Sequence, residues 1–236
     1  WFPFSALVDV VRMNFSHGKA EDHIARASLV RELAKKANRT VGILADLQGP
    51  KIRVGRFKDN KVILKSGDTF ILDADCELGD ERQVGIDYKE LARDVKARDV
   101  LLLNDGLIVF EVISVRGNKI ECRVQVGGVL SNNKGINLPG VAVNVPALSE
   151  KDEADLRWGL RLGADYIALS FVRDANDITR VHEIMAEEGR KVPVIAKIEK
   201  PQAVDNLEAI IDAFDGIMVA RGDLGVELPL EAVPIV

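Results

Sequence analysis

The sequence predicts an α/β protein built on a parallel sheet, with a β-rich module inserted into it. Two observations lead to this prediction. Short apolar runs that end in polar or charged residues alternate with segments of helical periodicity. Because a strand of a parallel sheet is buried on both faces, it is expected to read as such a continuous apolar run. Between about Gly55 and Asn144 the pattern changes to short strands at about 8–12-residue spacing, which indicates a small barrel or sandwich.

Individual residues support the elements of the parallel sheet in chain order. The strands are predicted over 7–13, 41–47, 165–171, 192–198 and 216–220, and the helices over 20–36, 149–162, 174–188 and 202–214. Acidic residues open the first helix, Gly49 and Pro50 stop the second strand, and Ser149 with Asp152 resembles a capping box. Pro201 stands where the last helix should begin. Inside the β-rich module only 87–97 is predicted to be helical.

Five strands are fewer than the eight of a closed (β/α) barrel. They form either an open doubly wound sheet or part of a larger (β/α)8 barrel. The chain stops within the apolar stretch 230–236, without a terminal signal. We therefore expect a fragment of a barrel.

Charged residues follow the last two strands at the edge where catalytic groups of such barrels lie. Lys197 and Glu199 are two residues apart, so both are expected on one side of the strand. Asp223 follows the next strand along the chain. Two carboxylates can hold a divalent cation, and a nearby ammonium can stabilise negative charge that develops on a substrate. The competing interpretation is a solvated salt bridge at a strand end.

Composition narrows the class of protein. The chain has 236 residues, a net charge of −5, an isoelectric point near 5.4 and 5% aromatic residues, which argues against a nucleic-acid partner. No apolar run approaches the roughly 18 residues of a membrane span. Cys76 and Cys122 do not make a disulfide framework, and a reducing cytoplasmic location fits best.

Eight motifs, in the same order along nearly the whole chain, resemble the pyruvate kinase family, and its bacterial members most. They are Arg12-Met13-Asn14-Phe15-Ser16-His17-Gly18, Asp46-Leu47-Gln48-Gly49-Pro50-Lys51-Ile52-Arg53, Asn104-Asp105-Gly106, Asn133-Lys134-Gly135-Ile136-Asn137-Leu138-Pro139-Gly140, Leu148-Ser149-Glu150-Lys151-Asp152, Ser170-Phe171-Val172-Arg173, Ala196-Lys197-Ile198-Glu199 and Met218-Val219-Ala220-Arg221-Gly222-Asp223-Leu224-Gly225. The resemblance implies a partial TIM barrel over 1–53 and 144–236, with a β-barrel lid domain over 54–143. It also implies that further strands of the barrel precede and follow this sequence.

The resemblance further implies phosphoryl transfer from phosphoenolpyruvate to ADP in glycolysis, by a cytoplasmic and commonly tetrameric enzyme. By motif, Glu199 and Asp223 match ligands of Mg²⁺ or Mn²⁺, and Lys197 matches the lysine that stabilises the transferring phosphoryl group. Arg12 matches an arginine that binds the phosphate, and the Gly222 backbone and Asp223 match positions that contact the substrate. The nucleotide-side positions are matched by Asn14, His17, Arg53 and Lys134. Surface charge is the alternative for Arg53 and Lys134.

One departure from the family concerns the monovalent cation. Potassium-activated members read Asp-Thr-Lys-Gly-Pro-Glu where this chain has Leu47 after Asp46 and Lys51 after Pro50. A hydroxyl ligand is lost and a charge is reversed, so we predict that the Lys51 ammonium replaces potassium. Its polar neighbours would then be Asn14, Ser16 and Asp46. The alternative is a Lys51 side chain that points to solvent.

Two other functional classes stay open at this stage. One is a metal-dependent aldolase or lyase of 2-oxo acids on a related barrel, which would share the Lys/Glu/Asp chemistry. The other is a truncated chain without catalytic activity, because five strands of eight would leave exposed barrel edges.

Overall fold

A computed structural model describes residues 8–141, 143, 145–229 and 231–235. The strands are β1 Val10–Asn14, β2 Gly42–Asp46, β3 Arg56–Phe57, β4 Lys61–Leu64, β5 Thr69–Asp73, β6 Leu78–Gly79, β7 Gln83–Val84, β8 Val100–Leu103, β9 Ile108–Arg116, β10 Lys119–Val126, β11 Gly128–Ser131, β12 Ile136–Asn137, β13 Tyr166–Leu169, β14 Val194–Ile198 and β15 Gly216–Val219. The helices are α1 Ala20–Lys36, α2 Leu91–Asp94, α3 Glu150–Arg161, α4 Thr179–Glu187, α5 Pro201–Asp205, α6 Leu207–Ala213 and α7 Arg221–Glu227, with 3-10 turns at Ala175–Ile178 and Val233–Ile235.

These elements form two compact units. The first comprises the chain through Pro50 together with Pro146–Ala220, and the second comprises Lys51–Val145 together with the chain from Arg221 onward. Each unit is described by itself below. The division into a lid domain at 54–143 and a barrel domain stays a prediction.

The first unit is part of a (β/α)8 barrel. Its five strands are all parallel and lie in the order β1-β2-β13-β14-β15. The strand order follows the chain without the reversal that defines a doubly wound sheet, so the open doubly wound alternative is wrong. All five predicted strands are present. Four have slightly shorter bounds than predicted, and β1 ends one residue later, at Asn14. Leu7, where the first strand was predicted to begin, lies outside the described residues.

Three of the predicted helices of this unit are regular or nearly so. The first occupies 20–36 as predicted, α3 is capped by Ser149 and Asp152, and α4 begins with a 3-10 turn. The predicted helix 202–214 is divided into α5 and α6 at Asn206, whose side-chain amide donates to the Arg173 carbonyl at 3.0 Å. Asn206 has φ −105° and ψ 17°, which is outside helical geometry, so the helix is interrupted there.

The second unit is rich in β-structure. Its largest sheet has the order β12-β8-β9-β10-β5-β7, and β11–β4 and β3–β6 form separate pairs. A buried apolar core includes Phe70 and Phe110, whose ring centroids are 5.7 Å apart. The predicted helix 87–97 is reduced to Leu91–Asp94, because Val95 takes extended backbone and buries its side chain in that core. Helix α7, at 221–227, was not predicted.

An ion-pair network joins α3 to α4 in the first unit. Arg180 donates to both carboxylate oxygens of Glu153 at 2.8 Å and to Glu183 at 3.0 Å. Arg157 pairs with Glu187 and Glu188. The hydrogen bond from Arg180 holds the pKa of the Glu153 carboxyl below its ordinary value. A carboxyl whose pKa is lowered by folding stabilises the protein above its ordinary pKa, and that contribution is lost as pH falls through the lowered value.

We predict that Arg180→Met lowers the melting temperature of the full-length protein by about 2 °C at pH 7, since exposed pairs contribute modestly. The difference from wild type should shrink below pH 4 and in high salt, because protonation and screening remove the pair. Lys191→Met is the control, since it removes an exposed cation that has no ion pair among the described residues. A difference independent of pH would contradict the electrostatic explanation.

Candidate active site

A buried lysine stands at the carboxyl end of β14 in the first unit. The Lys197 ammonium lies 2.7 Å from Ser170 Oγ, 3.0 Å from Glu199 Oε1 and 3.1 Å from Asp46 Oδ1. Lys197 is 8% exposed, and the three partner residues are 1–2% exposed. The ammonium donates a hydrogen bond to Ser170, and the two carboxylates compensate its charge. The same-side placement predicted for Lys197 and Glu199 is confirmed by their contact.

Asp46 connects this lysine with an arginine. Its Oδ2 accepts from Arg12 Nε at 2.6 Å and also contacts Nη2, while Oδ1 faces Lys197 as an ion pair without an aligned hydrogen bond. The Arg12 side chain is 52% exposed, although its partner is buried. The guanidinium is therefore fixed at one end and can still meet a ligand at the other.

A sharp corner after β13 holds the lysine and the glutamate. The Ser170 hydroxyl donates to the Leu47 carbonyl at 2.8 Å, and the Phe171 N–H donates to Glu199 Oε2 at 2.7 Å. Phe171 has φ +56°, a left-handed conformation that is rare for a bulky residue. This conformation accompanies an N–H group that points at the carboxylate.

Gly49 packs directly against that corner. It has φ +76°, and a Cβ built on it would lie 2.6 Å from the Phe171 ring and 2.7 Å from Ser170 Cβ. Its N–H donates at 2.9 Å to Asp152, a fully buried carboxylate that also caps α3. The close approach thus requires glycine both for its conformation and for the missing side chain.

The second unit contains the other predicted charges. The Lys51 ammonium lies 3.4 Å from Asp105 Oδ1 and 3.8 Å from Asp223 Oδ1, and its side chain is 19% exposed. Gly222 and Asp223 lie in the first turn of α7. The mostly buried Lys51 side chain, with two carboxylates within 4 Å, contradicts the alternative in which it points to solvent.

The remaining predicted residues lie in turns. In the first unit Asn14 Oδ1 accepts from the Ser16 N–H at 2.9 Å, and His17 is exposed. In the second unit Arg53 Nη1 donates to the Asn133 carbonyl at 3.1 Å, next to Lys134. The structure therefore brings together Arg12, Asp46, Lys197 and Glu199 in one unit, and Lys51 and Asp223 in the other. Within the described ranges no three His, Cys, Asp or Glu side chains cluster as a metal site.

Sequence reasoning missed the parts that support the lysine. Ser170, Gly49 and Asp152 all stand in the motifs that carried the family resemblance, yet none was singled out as a site residue. The available signals were the position of Ser170 directly after a strand, the Gly-Pro turn at Gly49 and the capping box that contains Asp152.

Known proteins are similar to this chain over nearly its whole length. The family model of the pyruvate kinase barrel domain matches residues 4–236. The chain belongs to the pyruvate kinase family. It is 56% identical over 229 residues to pyruvate kinase of Corynebacterium glutamicum, 53% to that of Mycobacterium tuberculosis H37Rv and 51% to that of Haemophilus influenzae. These alignments cover 97%, 97% and 95% of this chain.

The chain spans 48% of the length of each of these three pyruvate kinases. The sequence therefore contains part of a pyruvate kinase. Among the described residues, no helix combines the length and apolar character that crossing a membrane requires.

We predict that Gly49→Ala destabilises the full-length protein more than Gly189→Ala does. Gly189 has a similar φ of +65°, but a Cβ there meets nothing within 4 Å. Both variants carry a left-handed alanine, which costs about 1–2 kcal/mol, and only Gly49→Ala adds the clash, worth a further 1–3 kcal/mol or so. Urea unfolding of wild type and both variants measures the difference. Equal losses of unfolding free energy in the two variants would show that the close packing at Gly49 does not contribute to stability.

Proposed function

We propose that the full-length protein transfers a phosphoryl group from phosphoenolpyruvate to ADP, giving pyruvate and ATP. The observation that carries this proposal is the buried Lys197 ammonium, fixed by Ser170, Asp46 and Glu199 at the carboxyl edge of a parallel sheet. Membership of the pyruvate kinase family supports the same reaction.

Positioning and charge neutralisation carry most of the rate of phosphoryl transfer, because the protein does little covalent chemistry in it. In the proposed mechanism Lys197 stabilises negative charge on the phosphoryl group during its transfer and on the enolate of pyruvate that remains. Arg12 binds the phosphate through its exposed guanidinium edge, whose planar fork suits phosphate oxygens. The Gly222 backbone and Asp223 contact the substrate, and the nucleotide side is assigned to Asn14, His17, Arg53 and Lys134.

We also propose that Glu199 and Asp223 hold Mg²⁺ or Mn²⁺. Both are carboxylates, and hard divalent cations take oxygen ligands. The Glu199 carboxylate is 2% exposed and oriented by the Phe171 N–H, so its position is fixed before a metal arrives. The ion, when bound, neutralises charge on the phosphates. By resemblance alone, we further propose a cytoplasmic homotetramer.

The first test is phosphorylation of ADP by the full-length protein, followed through ATP formation. Lys197→Met should lower kcat at least about 100-fold, as expected when a preorganised charge is removed from a reaction centre. Lys96→Met, an exposed lysine of the second unit, should leave kcat unchanged. A wild-type protein that cleaves 2-oxo acids but forms no ATP would instead support an aldolase or lyase.

The monovalent cation provides a separate proposal, in which Lys51 replaces potassium. It is supported by the motif and by the acidic surroundings of the Lys51 ammonium, with Asp105 and Asp223 nearby. The region that would otherwise bind the cation also includes Asn14, Ser16 and Asp46. Leu47 supplies no hydroxyl ligand there.

We predict that wild-type activity in tetramethylammonium buffer rises less than about 2-fold on addition of potassium, because an ammonium already supplies the charge. The double variant Leu47→Thr, Lys51→Glu should be activated at least about 10-fold by the same addition. Leu47→Thr alone is the control, since it adds a hydroxyl and keeps the ammonium. Strong activation of the wild type would reject the proposal.

A further inference from the structure

We propose that Ser170 is a positioning residue for Lys197, and that the Ser170–Phe171 corner sets the geometry of the catalytic ammonium and the adjacent carboxylate together. This inference rests on the phosphotransfer proposed above and assigns a role to a side chain outside the predicted site.

The three residues that contact the Lys197 ammonium differ in their other binding partners. Asp46 also binds Arg12, and Glu199 is a proposed metal ligand, so both carboxylates serve other cations. Ser170 is the neutral acceptor, and its 2.7 Å contact with Nζ is the shortest of the three. Ser170 is therefore the partner of the ammonium whose role does not include a second cation.

The orientation of the Ser170 hydroxyl is fixed by a hydrogen bond of its own. Its hydrogen is donated to the Leu47 carbonyl at 2.8 Å, so an oxygen lone pair is available to the ammonium. Ser170 is 2% exposed, which limits competition from water. A hydrogen bond made in a buried setting is stronger and more directional than one made in water.

Consecutive residues fix the two charged groups. Ser170 holds Lys197 through its side chain, and Phe171 holds Glu199 through its N–H in a left-handed conformation. Gly49 packs against both residues of the corner and is in turn bonded to Asp152. Two consecutive residues of one corner thus hold both the ammonium and the carboxylate.

A structural role is the competing explanation, because a buried serine that bonds a carbonyl can simply stabilise the fold. The two explanations differ in kinetics. Loss of a positioning contact lowers kcat, since the ammonium acts on charge that develops in the transition state, while binding of the ground state changes little. A purely structural loss lowers the melting temperature and leaves kcat in place.

The test compares Ser170→Ala, Ser170→Cys and Ser66→Ala in the full-length protein. The thiol keeps the approximate size but is a weak acceptor, and Ser66 likewise donates to a carbonyl at 2.8 Å, in an exposed turn. Both Ser170 variants should lose about 10–100-fold in kcat, with KM for phosphoenolpyruvate within about 3-fold of wild type. Ser66→Ala should keep both constants.

Each outcome either supports or overturns the positioning role of Ser170. If Ser170→Ala does not fold, Ser170→Cys carries the comparison. Ser170 variants that keep kcat within about 2-fold, or that raise KM alone, would overturn the positioning role while the wild-type activity upholds the proposed function. A wild-type protein without phosphotransfer would remove the proposed function, and this role with it.

Discussion

Burial of one ammonium constrains the site in the first unit. An unpaired charge in the interior would cost several kcal/mol, so Lys197 at 8% exposure requires acceptors that are already in place. They come from three different strand ends. Asp46 is brought there by β2, whose register pairs it with Asn14 on one side and Ala168 on the other. A register slip of one residue would turn Asp46 to the other face of the sheet and leave the lysine without that carboxylate.

Backbone strain lies next to the charges. Phe171 is held in the left-handed region, and its N–H orients Glu199. Gly49 approaches Phe171 and Ser170 too closely for any Cβ. Such conformations persist only when the surrounding structure determines them, and they concentrate at functional sites. Here the surroundings include the fully buried Asp152, which accepts the Gly49 N–H and at the same time caps the first turn of α3. One side chain therefore couples the start of a helix to the packing of the site.

Much of this arrangement could be predicted from the sequence because it depends on local patterns. Apolar runs located the five parallel strands, the acidic first turn located α1, and the two-residue spacing placed Lys197 beside Glu199. Other features arise from tertiary contacts. A helix that periodicity predicts to be continuous is divided at Asn206, whose side chain bonds the distant Arg173 carbonyl. The contact of Ser170 with Lys197 depends on strand order, which one sequence does not specify.

Asp46 and Asp223, which belong to different units, differ in burial and therefore in how easily each can exchange its partner. Asp46 is 1% exposed and each of its oxygens faces a cation of this chain, Arg12 or Lys197. Asp223 has a side chain that is 39% exposed, and its nearest described cation, Lys51, is 3.8 Å away. A buried, doubly paired carboxylate acts as a fixed counter-charge, because exchanging its partners would expose uncompensated charge. A partly exposed carboxylate with a longer ion pair can exchange its partner for a metal ion at lower cost, which fits the metal-binding role proposed for Asp223.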